Sequence, residues 1–421
     1  MDAILVEGGS PLRGEVPVSG AKNAALPILA ATLLVDGEVR LEGLPELRDI
    51  KTLLRLLSEL GSAVEQNADG SLSLAVEDAT RVEAPYNIVK EMRASFCVLG
   101  PLLARRGRAQ VSMPGGCNLG VRPVDLHLKG LKALGARLTI DGGYVRAEGG
   151  LRGDEVFLAG PYGSTVLGTA NVMMAACLAE GRTVIEGAAC EPEVADLAHF
   201  LVACGARIDG IGSHRLVIDG VERLTGTRWR IIPDRMETGT FMAAVTLTGG
   251  DVMLRGADAA HMGAVVEAVR ALGAGVERSP AGIRVTQEAR PRPLDLTTLP
   301  YPGFPTDLQA PFTAALTVAE GMSVVTEKIY PERFMHVAEL NRMGASIRKQ
   351  GPSSIIHGVP SLSGAEVMAS DIRGGASLVV AGLGARGKTK IHRVYHVDRG
   401  YDRIEEKFAA LGARIQRTTE A

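Results

Sequence analysis

One short pattern occurs six times along this chain of 421 residues. In every copy a Gly ends an apolar helical run and precedes a small residue and an alternating strand, at Gly61, Gly135, Gly205, Gly273, Gly344 and Gly412. Successive copies lie 68 to 74 residues apart. A second helix-ending Gly precedes each of them, at Gly37, Gly107, Gly181, Gly250, Gly321 and Gly387. A long fixed period indicates one supersecondary unit repeated along the chain, and Gly is the expected residue just past a helix.

The residues between the glycines predict an α/β unit of the type βαβαββ, present as six pseudo-repeats of about 70 residues. Most units contain a short x-L-x-G segment before the next helix, but the last one reaches Ala421 without it. The chain begins with such a segment, Leu12-Arg13-Gly14. We therefore expect residues 1–20 to complete the last unit. This predicts two domains of three units each, residues 21–232 and residues 1–20 plus 233–421.

Composition excludes several classes of protein. The net charge is −2 with both signs scattered throughout, which gives no case for nucleic-acid binding. No apolar run has the length of a membrane span, and the first residues lack a basic segment before an apolar core. Five Cys without CxxC spacing indicate neither a disulfide framework nor a zinc site. We expect a cytoplasmic protein without a metal or cofactor, and its oligomeric state stays open.

The helix that opens each unit begins with small and polar residues. Helix N-termini offer unpaired N–H groups and a positive dipole, so they attract anions. Simple capping by Ser, Thr or Asp is the alternative. Lys22, Arg93 and Arg373 do not fit that alternative, because a cation opposes the dipole at this end. Their positions predict a shared cleft between the domains that binds an anion.

Residues 112–123 form an insertion rich in Gly around Cys117, where other units hold a short turn. We predict a mobile lid there. Arg122 lies five residues after Cys117, where its charge could lower the thiol pKa. The alternative is a free thiol on a loose turn. Three other cysteines fall in apolar helical runs and are expected in the core, whereas Cys190 is unassigned; the three are Cys97, Cys177 and Cys204.

Residues 382–389, GLGARGKT, match the spelling of two nucleotide-binding loops. Those loops need a strand before them and a helix after them. The repeat predicts the reverse order here, a helix followed by the strand TKIHRVYHV. A phosphate-binding loop, and with it a kinase, is therefore disfavoured.

Six segments, spread essentially from end to end, resemble one family. They are SGAKNAALP, PGGCNLGVRPVDLH, PDRMETGTF, FPTDLQA, ERFMHVAELNRMGA and HVDRGYDRIEEK. In these segments the chain resembles the UDP-N-acetylglucosamine enolpyruvyl transferases, also called UDP-N-acetylglucosamine 1-carboxyvinyltransferases. The resemblance implies two inside-out α/β barrel domains with the active site between them. It implies transfer of the enolpyruvyl group of phosphoenolpyruvate to the sugar nucleotide, the first committed step of peptidoglycan synthesis.

The resemblance also assigns roles to individual residues. Cys117 matches the acid that protonates the methylene carbon and can form a covalent adduct with phosphoenolpyruvate, and a thiol suits both tasks. Asp307 matches the residue that accepts the proton of the sugar hydroxyl. Lys22 matches the main phosphate ligand, and Arg122 and Arg399 complete the anion clamp.

Further residues match those that shape or line the substrate site. Arg333, Asp371 and Arg373 are implied to shape the closed site. The loop from Gly160 to Val166 aligns with a diphosphate-contact loop of the family, and Gly163 stands where some members carry Lys. The residues that carry over for the sugar nucleotide are Asn23, Arg93, Arg122, Pro123, Val124, Asp125, Leu126, Gly163, Ser164, Thr165, Val166, Asp307 and Ile329.

Two alternatives remain. The first is an enolpyruvyl transferase that acts on shikimate 3-phosphate, which shares the repeat fold. That family lacks the Cys lid, and its first helix carries a different Lys-Ser motif. The second is a repeat scaffold without catalytic activity, which would need a basic inner surface and no inserted Cys.

Overall fold

The structure is a computed structural model that describes residues 2–114 and 124–419. The chain forms two compact units. Unit N comprises the described residues from Gly20 to Ile232, and unit C comprises those up to Ser19 and from Pro233 onward. Each unit has its own core of buried apolar side chains.

The strands and helices follow the same order in repeat after repeat. The strands up to Ile232 are β1 (Asp2–Glu7), β2 (Leu12–Pro17), β3 (Val35–Asp36), β4 (Val39–Glu42), β5 (Ser62–Gln66), β6 (Leu72–Val76), β7 (Glu83–Ala84), β8 (Arg108–Ser112), β9 (Arg137–Asp141), β10 (Tyr144–Glu148), β11 (Glu155–Phe157), β12 (Ala159–Gly160), β13 (Gly163–Ser164), β14 (Arg182–Glu186), β15 (Arg207–Asp209), β16 (Arg215–Asp219), β17 (Leu224–Thr225) and β18 (Arg228–Arg230). The later strands are β19 (Gly250–Arg255), β20 (Gly275–Ser279), β21 (Gly282–Gln287), β22 (Leu296–Thr297), β23 (Met322–Thr326), β24 (Ser346–Gln350), β25 (Ser353–His357), β26 (Glu366–Met368), β27 (Lys388–His392) and β28 (Arg414–Thr419).

The α-helices alternate with these strands. They are α1 (Lys22–Ala31), α2 (Arg48–Glu59), α3 (Tyr86–Val89), α4 (Leu99–Arg106), α5 (Asp125–Ala133), α6 (Val166–Ala176), α7 (Pro192–Ala203), α8 (Arg235–Thr248), α9 (Gly263–Ala271), α10 (Gln309–Leu316), α11 (Met335–Arg342), α12 (Ile372–Gly384) and α13 (Ile404–Ala410).

The described residues form six four-stranded sheets that share one pattern of strand pairing. An edge strand runs parallel to its neighbour, as where Val156 of β11 lies opposite Ile185 of β14, and the other two pairs of strands are antiparallel. The strand orders in unit N are β18-β4-β6-β5, β7-β8-β10-β9 and β11-β14-β16-β15. Those in unit C are β2-β19-β21-β20, β22-β23-β25-β24 and β26-β27-β1-β28. Three of these sheets, β7-β8-β10-β9, β11-β14-β16-β15 and β22-β23-β25-β24, form βαβαββ units with their helices in chain order. Each of the other three completes the same pattern with one strand from a distant part of the chain, namely β18, β2 or β1. The predicted fold class is confirmed.

The N-terminal residues supply strands to two sheets of unit C. Strand β1 lies between β27 and β28, with Ile4 opposite both Ile391 and Arg417. Strand β2 pairs in parallel with β19, and Leu12 lies opposite Gly250. The sixth sheet therefore takes its third strand from the start of the chain.

The first helix of most repeats is buried on all sides, whereas the sheets expose one face. Every residue of α10 is buried, and so are nearly all residues of α1, α6, α8 and α12. In β14 only Thr183 and Ile185 are buried, because alternate side chains face away from the helices. A helix that is apolar all round belongs in a core. This arrangement, with helices inside and sheets outside, is an inside-out α/β barrel.

The six glycines of the repeated pattern adopt the left-handed conformation that the helix ends require. Their φ angles range from 88° at Gly344 and Gly412 to 105° at Gly205. A side chain at such a φ would be strained. The period found in the sequence is therefore the period of these helix ends.

Residues 382–389 lie where the repeat predicts them, with α12 before and β27 after, which is the reverse of a phosphate-binding loop. The predicted strand TKIHRVYHV is wrong beyond His392. Arg393 has a φ of 57°, which ends the strand, and a 3-10 helix follows over Val394–Arg399. Within the described residues, no helix is long and apolar enough to span a membrane.

Candidate active site

Three predicted site residues of unit C lie side by side although they are far apart in the chain. Asp307 lies in a 3-10 helix (Thr306–Leu308) before α10, Arg333 precedes α11, and Arg373 lies in the first turn of α12. Arg333 Nη1 donates to Asp307 Oδ1 at 2.8 Å. Arg373 donates to Asp307 Oδ2 from Nε at 3.1 Å and from Nη2 at 2.9 Å. Each carboxylate oxygen of Asp307 is therefore fixed by a guanidinium group.

The side chains of this cluster are largely buried, so each charge strongly affects the pKa values of its neighbours. The side chains of Arg333 and Arg373 are 6% and 2% exposed, whereas that of Asp307 is 27% exposed. Burial alone would lower the pKa of Arg333, but the charges of Asp307 and Asp371 outweigh it and raise that pKa. Burial also acts against the charge of Arg373, but Tyr401 and Asp307 raise its pKa. Both arginines stay cationic, and Asp307 remains accessible to a ligand.

Asp371 connects the start of α12 to this cluster. Its Oδ1 accepts hydrogen bonds from the backbone N–H groups of Arg373 and Gly374, both at 3.0 Å. His336 is buried nearby, and burial lowers its pKa to about 4, an effect that Arg333 strengthens and Asp371 opposes. His336 is therefore neutral at pH 7, and the positive charge of the cluster comes from the arginines.

Ile329 is held through its backbone by a residue that sequence analysis missed. Its N–H group donates to Glu327 Oε1 at 2.8 Å. Glu327 follows strand β23, and its side chain is completely buried. An acidic residue directly after an apolar strand was the available signal, but in one sequence it looks like an ordinary surface residue.

Arg399 is the last residue of the 3-10 helix that starts at Val394, and it is half-buried. The preceding Asp398 accepts two hydrogen bonds from Arg417, at 2.6 and 3.1 Å. Arg417 also donates to Glu405 Oε1 at 2.6 Å, and Glu405 lies six residues after Arg399. Side chains before and after Arg399 are thus connected to Arg417 of β28.

Lys22 is the first residue of α1 in unit N and is only 7% exposed. Its Nζ lies 3.4 Å from Oδ2 of Asp49, a buried residue in the first turn of α2. Asn23 follows on α1 and is half-buried. The sequence thus places a buried ammonium group at the positive end of a helix.

Capping explains some of the polar helix starts and not others. The side chains of Thr165, Asp234 and Asp371 accept N–H groups in the first turns of α6, α8 and α12. The corresponding residues before Lys22 and Arg93 are Ala21 and Met92, which make no such bond. The alternative of simple capping therefore does not account for the two cations of unit N.

Arg93 begins a 3-10 helix (Arg93–Val98) and is half-buried. Val124 precedes α5, and Asp125 and Leu126 form its first turn, with Asp125 exposed. Burial, with a contribution from the charge of Arg93, lowers the pKa of His127 to about 3. His127 is therefore neutral and structural.

The predicted diphosphate loop is a tight hairpin between β12 and β13 that leads into α6. Gly163, the first residue of β13, has a φ of 98°. Ser164 completes this strand and is half-buried. The Thr165 hydroxyl accepts the N–H of Gly168 at 3.2 Å, and Val166 opens the helix. A Lys at position 163 would be strained in this backbone, which gives a physical reason for the Gly.

Three predicted site residues, Cys117, Arg122 and Pro123, lie outside the described residues. The other cysteines are buried. Burial raises the pKa to about 12 for three thiols, those of Cys97, Cys177 and Cys204. Burial also raises the pKa of Cys190, whose sulfur lies 3.2 Å from His214 Nδ1. The expected core placement of the three cysteines is confirmed, and all four thiols are poor nucleophiles at neutral pH.

The profile of one protein family, described as EPSP synthase (3-phosphoshikimate 1-carboxyvinyltransferase), matches residues 6–408. A UDP-N-acetylglucosamine 1-carboxyvinyltransferase of Methylacidiphilum infernorum is 52% identical over 418 residues, 99% of each chain. The chain belongs to the enolpyruvyl transferase family. An equally named protein of Anaeromyxobacter sp. (strain Fw109-5) is 53% identical over 99% of each chain.

Solved structures of the family share the fold. The enolpyruvyl transferase NikO from Streptomyces tendae matches with a TM-score of 0.89 at 23% identity, over 100% of this chain and 99% of NikO. The EPSP synthase of Acinetobacter baumannii matches with a TM-score of 0.73 at 21% identity, over 100% of both chains. The family resemblance seen in the six segments is confirmed. Within residues 2–114 and 124–419, no group of three or more His, Cys, Asp or Glu could hold a metal ion.

Proposed function

We propose that this chain transfers the enolpyruvyl group of phosphoenolpyruvate to the 3-hydroxyl of UDP-N-acetylglucosamine and releases phosphate. Similarity to two relatives named for this reaction, at 52% and 53% identity over nearly the whole chain, supports the choice of acceptor. The EPSP synthase of Acinetobacter baumannii is only 21% identical. The product enters peptidoglycan synthesis. Because both substrates are charged phosphate esters, we place the reaction in the cytoplasm.

The reaction adds an alcohol to a carbon–carbon double bond and then eliminates phosphate. In the addition, the sugar oxygen loses its proton and bonds to the substituted carbon, while the methylene carbon gains a proton. In the elimination, the methyl group of the tetrahedral ketal loses a proton and the C–O bond to phosphate breaks. The chain must therefore supply a proton acceptor for the sugar, a proton donor for carbon, and cations for the phosphate and carboxylate.

The arrangement around Asp307 is the observation that carries this proposal. Two buried guanidinium groups fix the orientation of both oxygens of an accessible carboxylate, and a proton acceptor for the 3-hydroxyl must be positioned in this way. Asp307 accepts the sugar proton in the addition step, while Arg333 and Arg373 hold it in place.

We assign the anion clamp to Lys22, Arg122 and Arg399. A cation at the N-terminus of α1 opposes the helix dipole, but an anion bound there is attracted by both the cation and the helix end. Arginine forks suit phosphate and carboxylate geometry. Arg93, Asp125 and the loop after β12 contribute to binding of the sugar nucleotide.

Cys117 protonates the methylene carbon in this mechanism. We expect Cys117→Ser to lower kcat by about 10²-fold or more, because a hydroxyl is a much weaker acid. Cys117→Asp should keep activity, since a carboxyl group also donates a proton, and it should resist the epoxide fosfomycin. Cys190→Ser is the matched control and should leave kcat unchanged. Full activity of Cys117→Ser would overturn the assignment of the acid.

The choice of acceptor is tested by phosphate release from phosphoenolpyruvate with either UDP-N-acetylglucosamine or shikimate 3-phosphate. We expect release only with the sugar nucleotide. Release only with shikimate 3-phosphate would favour the rival transferase. A scaffold would release no phosphate with either acceptor, and phosphoenolpyruvate would not protect its Cys117 from alkylation.

A further inference from the structure

The carboxylate of Glu327 is buried at the point where β23 ends, and one of its oxygens fixes the segment that follows. Oε1 accepts the Thr298 hydroxyl at 2.6 Å. The same oxygen accepts the backbone N–H groups of Ile329 at 2.8 Å and Tyr330 at 3.0 Å. The N–H groups of two consecutive residues, Ile329 and Tyr330, therefore bond to a single carboxylate oxygen.

The other oxygen of Glu327 reaches the segment that carries Asp307. Oε2 accepts the Thr306 hydroxyl at 2.8 Å. The Thr306 oxygen in turn accepts from Arg333 Nη1 at 3.0 Å, and this same nitrogen donates to Asp307 Oδ1. A short hydrogen-bonded path thus runs from Glu327 through Thr306 and Arg333 to Asp307.

Burying a carboxylate is costly unless hydrogen bonds replace the lost water. Glu327 is fully buried, and hydroxyl and backbone N–H groups surround it. An apolar side chain would fill the same space but could not fix two separate segments at once. The directional hydrogen bonds of Glu327 fix the positions of two segments, which packing alone would not do.

We propose that Glu327 is a positioning residue that holds Ile329 and Asp307 in a fixed relation. The inference rests on the proposed function, in which Ile329 contacts the sugar nucleotide and Asp307 accepts its 3-hydroxyl proton. Ile329 bonds to one oxygen of the carboxylate directly, and Asp307 is connected to the other oxygen through Thr306 and Arg333. Glu327 sets the geometry of the sugar relative to its proton acceptor, while Thr306 transmits this geometry to Arg333 and Asp307.

Thr306→Val tests the path without removing the buried charge. Valine keeps the shape but removes the hydroxyl, so Arg333 and Asp307 lose their connection to Glu327. We expect kcat to fall by on the order of 10- to 100-fold, as misplacement of reacting groups does. We expect the KM for UDP-N-acetylglucosamine to change less than twofold, because the bonds to Ile329 remain. Thr306→Ser, which restores the hydroxyl, should recover most of kcat.

Glu327→Gln tests the hydrogen bonds between Glu327 and the backbone of Ile329. An amide retains one acceptor oxygen but places an NH₂ group where Glu327 accepts bonds, so we expect a lower kcat and a KM for the sugar nucleotide raised by about tenfold. Thr326→Val is the matched control, because its hydroxyl pairs with Ser353 and not with this path. It should keep wild-type kcat and KM. Thermal unfolding of each variant verifies folding.

Unchanged kcat in Thr306→Val, with an active wild-type enzyme, would overturn this inference alone. A loss of kcat that Thr306→Ser does not recover, or that Thr326→Val shows equally, would also overturn it, because it would reflect packing. A wild-type protein that releases no phosphate with UDP-N-acetylglucosamine would overturn the proposed function as well. If Glu327→Gln fails to fold, Thr306→Val with its rescue by serine still decides.

Discussion

The two units hold their predicted site residues in different ways. In unit C, Asp307, Arg333 and Arg373 form one cluster in which both arginines are at most 6% exposed. In unit N, Lys22 Nζ and Asp49 Oδ2 are buried and lie 3.4 Å apart. The hydrogen bonds to Asp307 are 2.8 to 3.1 Å long, so the contact between Lys22 and Asp49 is the longer and weaker one.

This difference matches the tasks that we propose. A proton acceptor must be oriented to a fraction of an ångström before the substrate arrives. A cation that binds phosphate gains its main partner only when the ligand binds, so its own contacts need not be ideal. In the proposed mechanism, the proton acceptor Asp307 is therefore held by short hydrogen bonds before the substrates bind.

The most severe test of this comparison is Asp307→Asn. Removing one charge leaves two buried guanidinium groups with a neutral neighbour, and breaking buried pairs of this kind is strongly destabilising. Because Asp307 is 27% exposed, we expect the lower end of the usual range, about 3 kcal/mol in the free energy of unfolding. We expect kcat to fall by about 10²- to 10⁴-fold. Chemical denaturation and phosphate release measure the two effects.

Asp251→Asn is the control in the same unit. Asp251 receives two hydrogen bonds from Arg284, at 2.8 and 2.6 Å, but both side chains are substantially exposed. Its loss should cost less than about 1 kcal/mol, as for other surface pairs. Equal destabilisation by the two substitutions would show that burial of the cluster contributes nothing.

How much of this the sequence predicts differs between fold and site. The period of the glycines was enough to predict six βαβαββ units, because each helix end requires a left-handed residue. The buried helices are apolar on all sides, so their composition also carried the signal. Regular secondary structure can therefore be predicted from the local sequence.

The contacts of the site are not local. Asp307 meets residues 26 and 66 positions further along the chain, and no spacing rule in one sequence predicts that meeting. The resemblance assigned Asp307 and Arg373 to one site but gave no partner to either. Glu327 was missed altogether, because its burial comes from tertiary packing around an acid that looks exposed in the sequence.

Asp196 provides a pH-dependent contrast in unit N. It is a buried carboxylate that accepts from Trp229 Nε1 at 3.1 Å and from the Ile232 N–H at 3.4 Å, both uncharged donors. Burial raises its pKa to about 6. Between about pH 4 and 6 the folded state therefore binds the proton that the unfolded state has lost, and stability falls as pH rises. The total fall is about 2–3 kcal/mol.

Asp196→Asn should remove this fall, so its stability relative to wild type should increase from pH 4 to 6 and level off above pH 7. Asp219 is the control of opposite sign. Arg182 lowers the pKa of Asp219 through a hydrogen bond, so its contribution disappears as pH falls. If the difference in stability between Asp196→Asn and wild type did not change with pH, this result would contradict the raised pKa of Asp196.

Asp49→Asn tests the looser contact directly. Lys22 would lose the charged partner that orients its ammonium group, so a bound phosphate would be held less precisely. We expect a cost of about 1–2 kcal/mol in stability. We also expect a several-fold rise in the KM for phosphoenolpyruvate, with little change in kcat. A loss as large as that of Asp307→Asn would show that unit N is as preorganised as unit C.

The smallest effect concerns the cap of α6. The Thr165 hydroxyl accepts one N–H at 3.2 Å, whereas Asp371 accepts two at the start of α12. Thr165→Ala should cost about 1 kcal/mol, and Thr165→Ser should cost almost nothing because it keeps the oxygen. Since we assign Thr165 to sugar-nucleotide binding, Thr165→Ala should raise that KM and leave kcat unchanged. A fall in kcat would contradict the assignment of Thr165 to substrate binding alone.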